Sequence, residues 1–114
     1  MREEANMNNL NSVLIEGCLV RAAEMVKRGD KEVCFFTISS NRFSKSEDGM
    51  DKRVIFIEVD VPNSKLAESC MAMGKKGKGC RVVGRLEQDR SEEDGKFQSR
   101  VYILAEHVEF RPEK

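Results

Sequence analysis

The sequence predicts an all-β fold, a five-stranded Greek-key barrel of the OB-fold type with one short α-helix between the third and fourth strands. Five segments carry the apolar or alternating pattern of strands, and one segment between them has helical character. Gly17 lies inside the first strand segment, where a small barrel needs a sharp bend. At 114 residues the chain has room for one hydrophobic core. We therefore expect a single domain over residues 11–110.

Short segments flank this domain. Residues 1–10 carry charges and amides without an apolar run, and we expect a disordered N-terminal extension there, with Met7 as an alternative start to Met1. Residues 111–114 form a C-terminal end. No run of roughly 18 apolar residues occurs. We therefore expect a soluble, cytoplasmic protein.

The first two strands come early in the chain. Residues 12–20 form the first strand, which is expected to continue past Gly17 into residues 21–26. A turn containing Gly29 then leads into the second strand at residues 32–40. These two strands begin the barrel.

One face of the second strand is predicted to lie in the core. Cys34, Phe36 and Ile38 alternate along it and point to the same side. The segment after it, residues 41–52, is polar and too long for a tight hairpin. We expect a long protruding loop there.

The middle of the chain reads as strand, helix, strand. Residues 54–61 start apolar and settle into period two, and Pro62 ends them. The hydroxyl of Ser64 is suited to cap a helix over residues 65–73. Gly74 follows that helix and is predicted to end it.

The last two strands complete the barrel. Residues 80–86 form the fourth strand, followed by a polar hairpin tip at 87–96 with an Asp-Gly turn signal at 94–95. The fifth strand is expected at 97–105, and residues 107–110 extend it.

Charge and cysteine content restrict the function. The 20 basic residues balance the 20 acidic ones, so a nucleic-acid site must be a local basic patch. The cysteines form no C-x-x-C pair and His107 is the only histidine, which argues against zinc. Free core cysteines are favoured over disulfides. The cysteines are Cys18, Cys34, Cys70 and Cys80.

No enzyme is predicted. His107 has no nucleophile or paired carboxylate at a recognisable motif spacing, and no Gly-rich phosphate loop occurs. His107 is interpreted as a surface or edge-strand residue. No metal or other cofactor is implied.

Six short motifs, in this order and spacing, resemble those of the bacterial single-stranded DNA-binding protein family. They are NSVLIEG at 11–17, FTISSNR at 36–42, FIEV at 56–59, KLAE at 65–68, KG at 76–77 and VGRL at 83–86. The resemblance covers about residues 7–110. It implies sequence-independent binding of single-stranded DNA in replication, repair or recombination, by bases stacked on aromatic rings within a basic groove. It also implies a homo-oligomer, with a tetramer favoured over a dimer.

The resemblance places three aromatic residues at base-stacking positions. They are Phe43, Phe56 and Phe97. For each, a structural alternative stays open. A one-residue slip of the strand buries Phe56, Phe43 is also suited to a subunit contact, and Phe97 is also suited to cap the barrel end.

Basic residues on the same strands and loops are expected to contact phosphates. They are Arg42, Lys45, Arg53, Arg85, Arg90, Lys96 and Arg100. Two other aromatic residues are assigned differently. Phe35 lies opposite the core face, where it either stacks bases or lies at a subunit interface, and Tyr102 is interpreted as core or interface.

The chain also departs from the family pattern. It has no tryptophan, Glu92 and Glu93 occupy the last hairpin tip, and Glu58 and Asp60 share the face of Phe56. These acids predict weaker, more salt-sensitive binding. The acidic tail by which bacterial members recruit repair proteins has no counterpart, so such recruitment is not expected. The alternative function is an OB-fold protein-interaction module of the replication-restart type with weak nucleic-acid binding.

Overall fold

The structure, a computed structural model, describes residues 7–112. Most of the predicted N-terminal extension, including Met1, lies outside the described residues, as do the last two residues of the predicted C-terminal end.

Six strands and one helix form the described part of the chain. They are β1 Val13–Leu19, β2 Glu24–Arg28, β3 Lys31–Ser46, β4 Gly49–Pro62, α1 Lys65–Met73, β5 Gly79–Glu93 and β6 Lys96–Phe110. The predicted continuation of the first strand is a separate strand, β2, which pairs with β3. The residues between β1 and β2 form other backbone hydrogen bonds, which separate the two strands. The N–H of Val20 donates to the carbonyl oxygen of Thr37, and the N–H of Ala23 donates to that of Gly74.

The remaining five strands close a barrel. Antiparallel pairing joins β1 to β5, β5 to β6 and β4 to β3, while β4 and β6 pair in parallel. The last two residues of β1, Cys18 and Leu19, pair with Ser39 and Ile38 of β3 and close the ring. The helix lies between β4 and β5 in the chain. This arrangement confirms the predicted OB-fold.

Two glycines allow the strands to approach closely. Gly17 lies where β1 passes from β5 to β3, and a Cβ there would clash with the carbonyl oxygen of Ser39. Gly84 lies at a register shift between β5 and β6, and a Cβ there would clash with the carbonyl oxygen of Leu104. The bend predicted at Gly17 therefore has a steric cause.

The core lies inside the barrel and under the helix. Cys34, Phe36 and Ile38 are buried as predicted, and Ala67 and Cys70 of α1 close one side of the core. The helix begins as predicted, because the hydroxyl of Ser64 accepts a hydrogen bond of 3.3 Å from the N–H of Ala67. Gly74 caps its other end.

The prediction of a long loop at residues 41–52 is wrong. β3 and β4 stay paired up to Ser46 and Gly49, and only Glu47 and Asp48 form the turn. The two strands extend past the barrel as a two-stranded arm whose faces are both exposed, so polar side chains occupy positions that a buried strand would fill with apolar ones.

The second hairpin is also an arm. β5 and β6 pair up to Glu93 and Lys96, so the polar tip predicted at 87–96 is strand except for its turn. The turn itself is where the sequence places it. Asp94 and Gly95 both have positive φ, 54° and 77°, as expected for a tight Asp-Gly hairpin.

The cysteines are free, but only three lie in the core. Cys34, Cys70 and Cys80 are buried, and burial raises the pKa of the Cys80 thiol to about 11. Cys18 is exposed, so its assignment to the core is wrong. Its neighbour Leu19 takes the inward position on β1, and successive residues of a strand point to opposite sides.

Among residues 7–112, α1 is the only helix, and it is far too short to cross a membrane.

Gly84→Ala is expected to lower the free energy of unfolding by about 3 kcal/mol, because its methyl group would overlap a backbone carbonyl that cannot move without breaking the β5–β6 pairing. Urea unfolding measures this loss. Gly29→Ala is the control: its Cβ meets nothing, so only the strain of its positive φ, about 1 kcal/mol, is expected. Equal losses in the two variants would contradict the steric explanation.

Candidate nucleic-acid interface

One face of the β3–β4 arm carries exposed aromatic rings beside lysines. We call it the aromatic strip. It consists of Ser39, Asn41, Phe43 and Lys45 on β3 and Met50, Lys52, Val54 and Phe56 on β4. Cross-strand partners share a face, so these side chains project from the same side of the arm. Phe43 is 59% exposed and Phe56 is 66% exposed. The strip contains no acidic residue.

The two rings of the strip are separated along the arm. Phe43 lies opposite Lys52, and Phe56 lies opposite Ser39, which is four residues before Phe43 on β3. The offset corresponds to about 13 Å along the strand. Both rings are largely exposed, so the arm presents two separate surfaces on which a flat base can stack.

Lys52 was missed by the sequence prediction. Its ammonium lies 6.0 Å from the centre of the Phe43 ring, a cation–π contact that places a positive charge beside that ring. Residues 41–52 were expected to be a loop, in which no face is defined. Counting back from Phe56 by twos, through Val54, would have placed Lys52 on the strip.

The opposite face of the same arm carries Arg42 and Arg53. They are direct cross-strand partners and both are exposed. Like charges directly opposite each other are destabilising in a sheet. An anion between the two guanidinium groups relieves that repulsion, so the pair is well suited to a phosphate. Lys45, also predicted, lies on the strip itself.

Two predicted phosphate ligands already have carboxylate partners. The Nε of Arg85 lies 2.8 Å from Glu87 and its Nη1 lies 3.2 Å from Glu106. The hydrogen bond to Glu87 is the main reason that the pKa of Arg85 is raised. The second such residue, Arg100, is bound more extensively.

Asp60 organises the centre of the outer sheet face. It is only 3% exposed, and its carboxylate accepts from Arg100 Nη2 at 2.7 Å and from Arg28 Nε at 3.1 Å. Burial, the largest single influence, raises the pKa of Asp60, but the hydrogen bonds and charges of the two arginines outweigh it and hold that pKa below its usual value. Arg100 also donates from Nε to Glu58 at 2.6 Å.

Two aromatic rings pack against this ion-pair cluster. The guanidinium of Arg100 lies 4.1 Å from the centre of the Tyr102 ring, and the Phe35 ring lies 5.1 Å from Arg28 and 5.7 Å from Arg100. Tyr102 is therefore a partly exposed residue of the outer face rather than a core residue. Phe35 lies opposite the core face, as the alternation predicted.

Phe97 lies on the other arm, away from the aromatic strip. It is 80% exposed and pairs with Glu92, while its neighbour Lys96 pairs with Glu93. Along β6 it alternates with Ser99, Val101 and the buried Ile103, so it continues the core side of the strand. Arg90 is exposed opposite Ser99. The structure thus groups Phe43 with Phe56 and leaves Phe97 beside acidic residues.

A metal site is not found in the described part of the chain, where no three His, Cys, Asp or Glu side chains are grouped to hold an ion. The surface just described is one of aromatic rings and cations.

Known proteins resemble this chain over nearly its whole length. A model of the single-strand binding protein family matches residues 10–111. A single-stranded DNA-binding protein of Treponema pallidum (strain Nichols) is 33% identical over 104 residues, which are 90% of this chain. The chain spans 58% of that relative's length.

Solved structures share the fold. The Plasmodium falciparum SSB in complex with ssDNA has a TM-score of 0.81 at 15% identity, covering 94% of this chain and 99% of that one. The small single-stranded DNA-binding protein of Streptomyces coelicolor has 0.72 at 15%, covering 92% and 96%. A deletion mutant of the Thermus aquaticus single-stranded DNA-binding protein has 0.74 at 25%, covering 90% and 51%.

Asp60→Asn is expected to destabilise the protein by about 2 kcal/mol at neutral pH, because two partly buried arginines lose their shared counter-charge. Because the pKa of Asp60 is lowered, its contribution to the free energy of unfolding is complete when the pH is above 3.8, the ordinary pKa of an aspartate. That contribution is lost as the pH falls below this value. The free energies of unfolding of the unchanged protein and of Asp60→Asn, measured by denaturant unfolding across this pH range, should therefore converge at acid pH. A constant difference at every pH would contradict the role assigned to the carboxylate.

Proposed function

The chain belongs to the single-strand binding protein family, and from that membership we propose that it binds single-stranded DNA without reading a sequence. The bases stack on Phe43 and Phe56, and the phosphates contact Lys45, Lys52 and the Arg42–Arg53 pair. The protein acts by binding, in the replication, repair or recombination of DNA, and in the cytoplasm.

The aromatic strip is the observation that supports this proposal. A large apolar ring that stays exposed to water adds little to the stability of the free protein. A base stacked on such a ring, by contrast, contributes roughly 1–3 kcal/mol to the binding free energy, whichever base it is. The lysines of the strip supply the sequence-independent attraction to phosphates, which weakens with salt. Phe97, Arg90 and Lys96 extend the proposed contact to the second arm, where Glu92 and Glu93 oppose it.

The acids beside Phe56 oppose DNA less than the sequence predicts. Asp60 is buried against Arg28 and Arg100, and one oxygen of Glu58 is bound by Arg100. Because the arginines balance these charges, their effect on a nearby phosphate is small. The predicted weakening of affinity is then due mainly to the tip of the β5–β6 arm.

A homo-oligomer is part of the proposal, with a tetramer favoured over a dimer. β1 pairs with β5 along residues 13–18, but it pairs with β3 only at its last two residues. Within residues 7–112, most of one edge of β1 is thus unpaired, and Leu14 beside it is 68% exposed. Such an edge is suited to pair with another strand.

Binding to oligo-dT and to a duplex of equal length tests the proposal. At roughly 50 mM salt the protein is expected to bind the single strand much more tightly, and the affinity should fall several-fold at roughly 200 mM. Fluorescence anisotropy of labelled DNA measures both. Equal affinity for single strand and duplex would favour the protein-interaction module instead.

Phe56→Ala and Phe43→Ala are each expected to weaken oligo-dT binding by about fivefold or more, from the loss of one stacked base. Their melting temperatures should stay near that of the unchanged protein, because both rings are exposed. Phe36→Ala is the control, since Phe36 is fully buried and its loss should cost about 3–5 kcal/mol of stability. A large fall in melting temperature for Phe56→Ala would assign that ring to packing.

Native mass spectrometry should show a tetramer, or a dimer, as the main species. Leu14→Arg is expected to shift the mass towards the monomer, because a charge beside the open edge of β1 opposes pairing. A monomer in the unchanged protein would refute the oligomer.

A further inference from the structure

Glu58 lies beside Phe56, the exposed ring on which we propose that a base stacks and which we call the Phe56 platform. It lies two residues after Phe56 on β4, on the same sheet face, and its side chain is 41% exposed. Next to it, across the parallel pairing with β6, lies Tyr102. A base stacked on Phe56 therefore has an edge close to the Glu58 carboxylate.

Only one oxygen of this carboxylate is bound. Oε1 accepts from Arg100 Nε at 2.6 Å, whereas Oε2 accepts no hydrogen bond within residues 7–112. The Glu58 side chain is thus held by one oxygen, and its other oxygen keeps its capacity to accept hydrogen bonds.

The support behind Glu58 is rigid. Arg100 donates to both oxygens of the buried Asp60, from Nη2 at 2.7 Å and from Nη1 at 3.2 Å, and it stacks on Tyr102. Arg28 holds Asp60 from the other side. A side chain fixed in this way recognises a ligand group without a large loss of conformational freedom.

The bases differ in what they offer a carboxylate. A carboxylate only accepts hydrogen bonds. Cytosine carries a donor amino group at N4, whereas thymine carries the acceptor O4 at the same ring position. Thymine sets its acceptor O4 against the Glu58 carboxylate at this position. Its one donor on that edge, N3–H, lies between the two acceptors O2 and O4, so a carboxylate that reaches it also faces those oxygens.

We propose that Glu58 gives the Phe56 platform a preference for cytosine over thymine, because its free oxygen accepts a hydrogen bond from the cytosine amino group. This inference rests on the proposed single-strand binding and adds a choice of base to it. Donors that would favour thymine also lie nearby. Thr37 and Ser39 are the cross-strand partners of Glu58 and Phe56, and Arg100 uses three of its five N–H groups on carboxylates. The Glu58→Gln variant below separates their effect from that of Glu58.

Binding of oligo-dC and oligo-dT of equal length tests the inference, at mildly alkaline pH where cytosine is unprotonated. Because each oligomer contains a single kind of base, Phe56 holds the same base in every complex. The unchanged protein is expected to bind oligo-dC about fivefold more tightly. A third oligomer containing 2-pyrimidinone, which is cytosine without its amino group, should lose this advantage.

Glu58→Gln is the variant that carries the test. Its amide still accepts from Arg100, but its outer group becomes a donor suited to thymine O4, so the ratio of dC to dT affinity should fall to about one or below. Glu32→Gln removes the same charge about 17 Å along β3 from Thr37, the cross-strand partner of Glu58, and should leave the ratio unchanged.

The outcomes separate the inference from the function it rests on. If the unchanged protein binds neither oligo-dC nor oligo-dT, the proposed function itself is refuted. Binding with equal affinity for dC and dT, or a dC preference that Glu58→Gln retains, refutes the role of Glu58 and leaves single-strand binding in place. A dC preference that survives removal of the amino group also refutes it.

Discussion

The carboxylate of Asp60 joins three strands of the outer sheet face. It lies on β4 and binds Arg28 of β2 and Arg100 of β6, so the short strand β2 and the parallel β4–β6 pair are fixed to one buried charge. Glu58 and the rings of Phe35 and Tyr102 take their positions from the same two arginines. The proposed base platform at Phe56 borders this cluster, and its surroundings depend on it.

The uneven distribution of ion pairs explains how a chain with no net charge can present a basic surface. On the barrel, several arginines are matched with acids, as Arg81 is with Glu16 and Arg85 is with Glu106. On the β3–β4 arm, by contrast, no ion pair within residues 7–112 involves Arg42, Lys45, Lys52 or Arg53. Glu47, Asp48 and Asp51 also lie on this arm, but the aromatic strip contains only basic and uncharged residues. The basic surface is therefore confined to that one face, where the exposed aromatic rings are.

The sequence prediction was most accurate where one side of an element is buried. The alternation of Cys34, Phe36 and Ile38 identified the core face, and Ser64 identified the helix start. It failed on the two arms, because a strand in water on both faces has no apolar alternation to reveal it. Calling residues 41–52 a loop also concealed the face shared by Phe43, Lys52 and Phe56.

By itself the sequence determined the barrel, its helix, its bend at Gly17 and the resemblance to a family, because these depend on local patterns of apolar residues, caps and glycines. The tertiary structure decided which charges are free. Glu58 and Asp60 on one strand, and Arg28 and Arg100 on two others, are far apart in the chain, and only the strand register brings them together. Electrostatic compensation depends on distance in space, which a pattern along one strand does not contain.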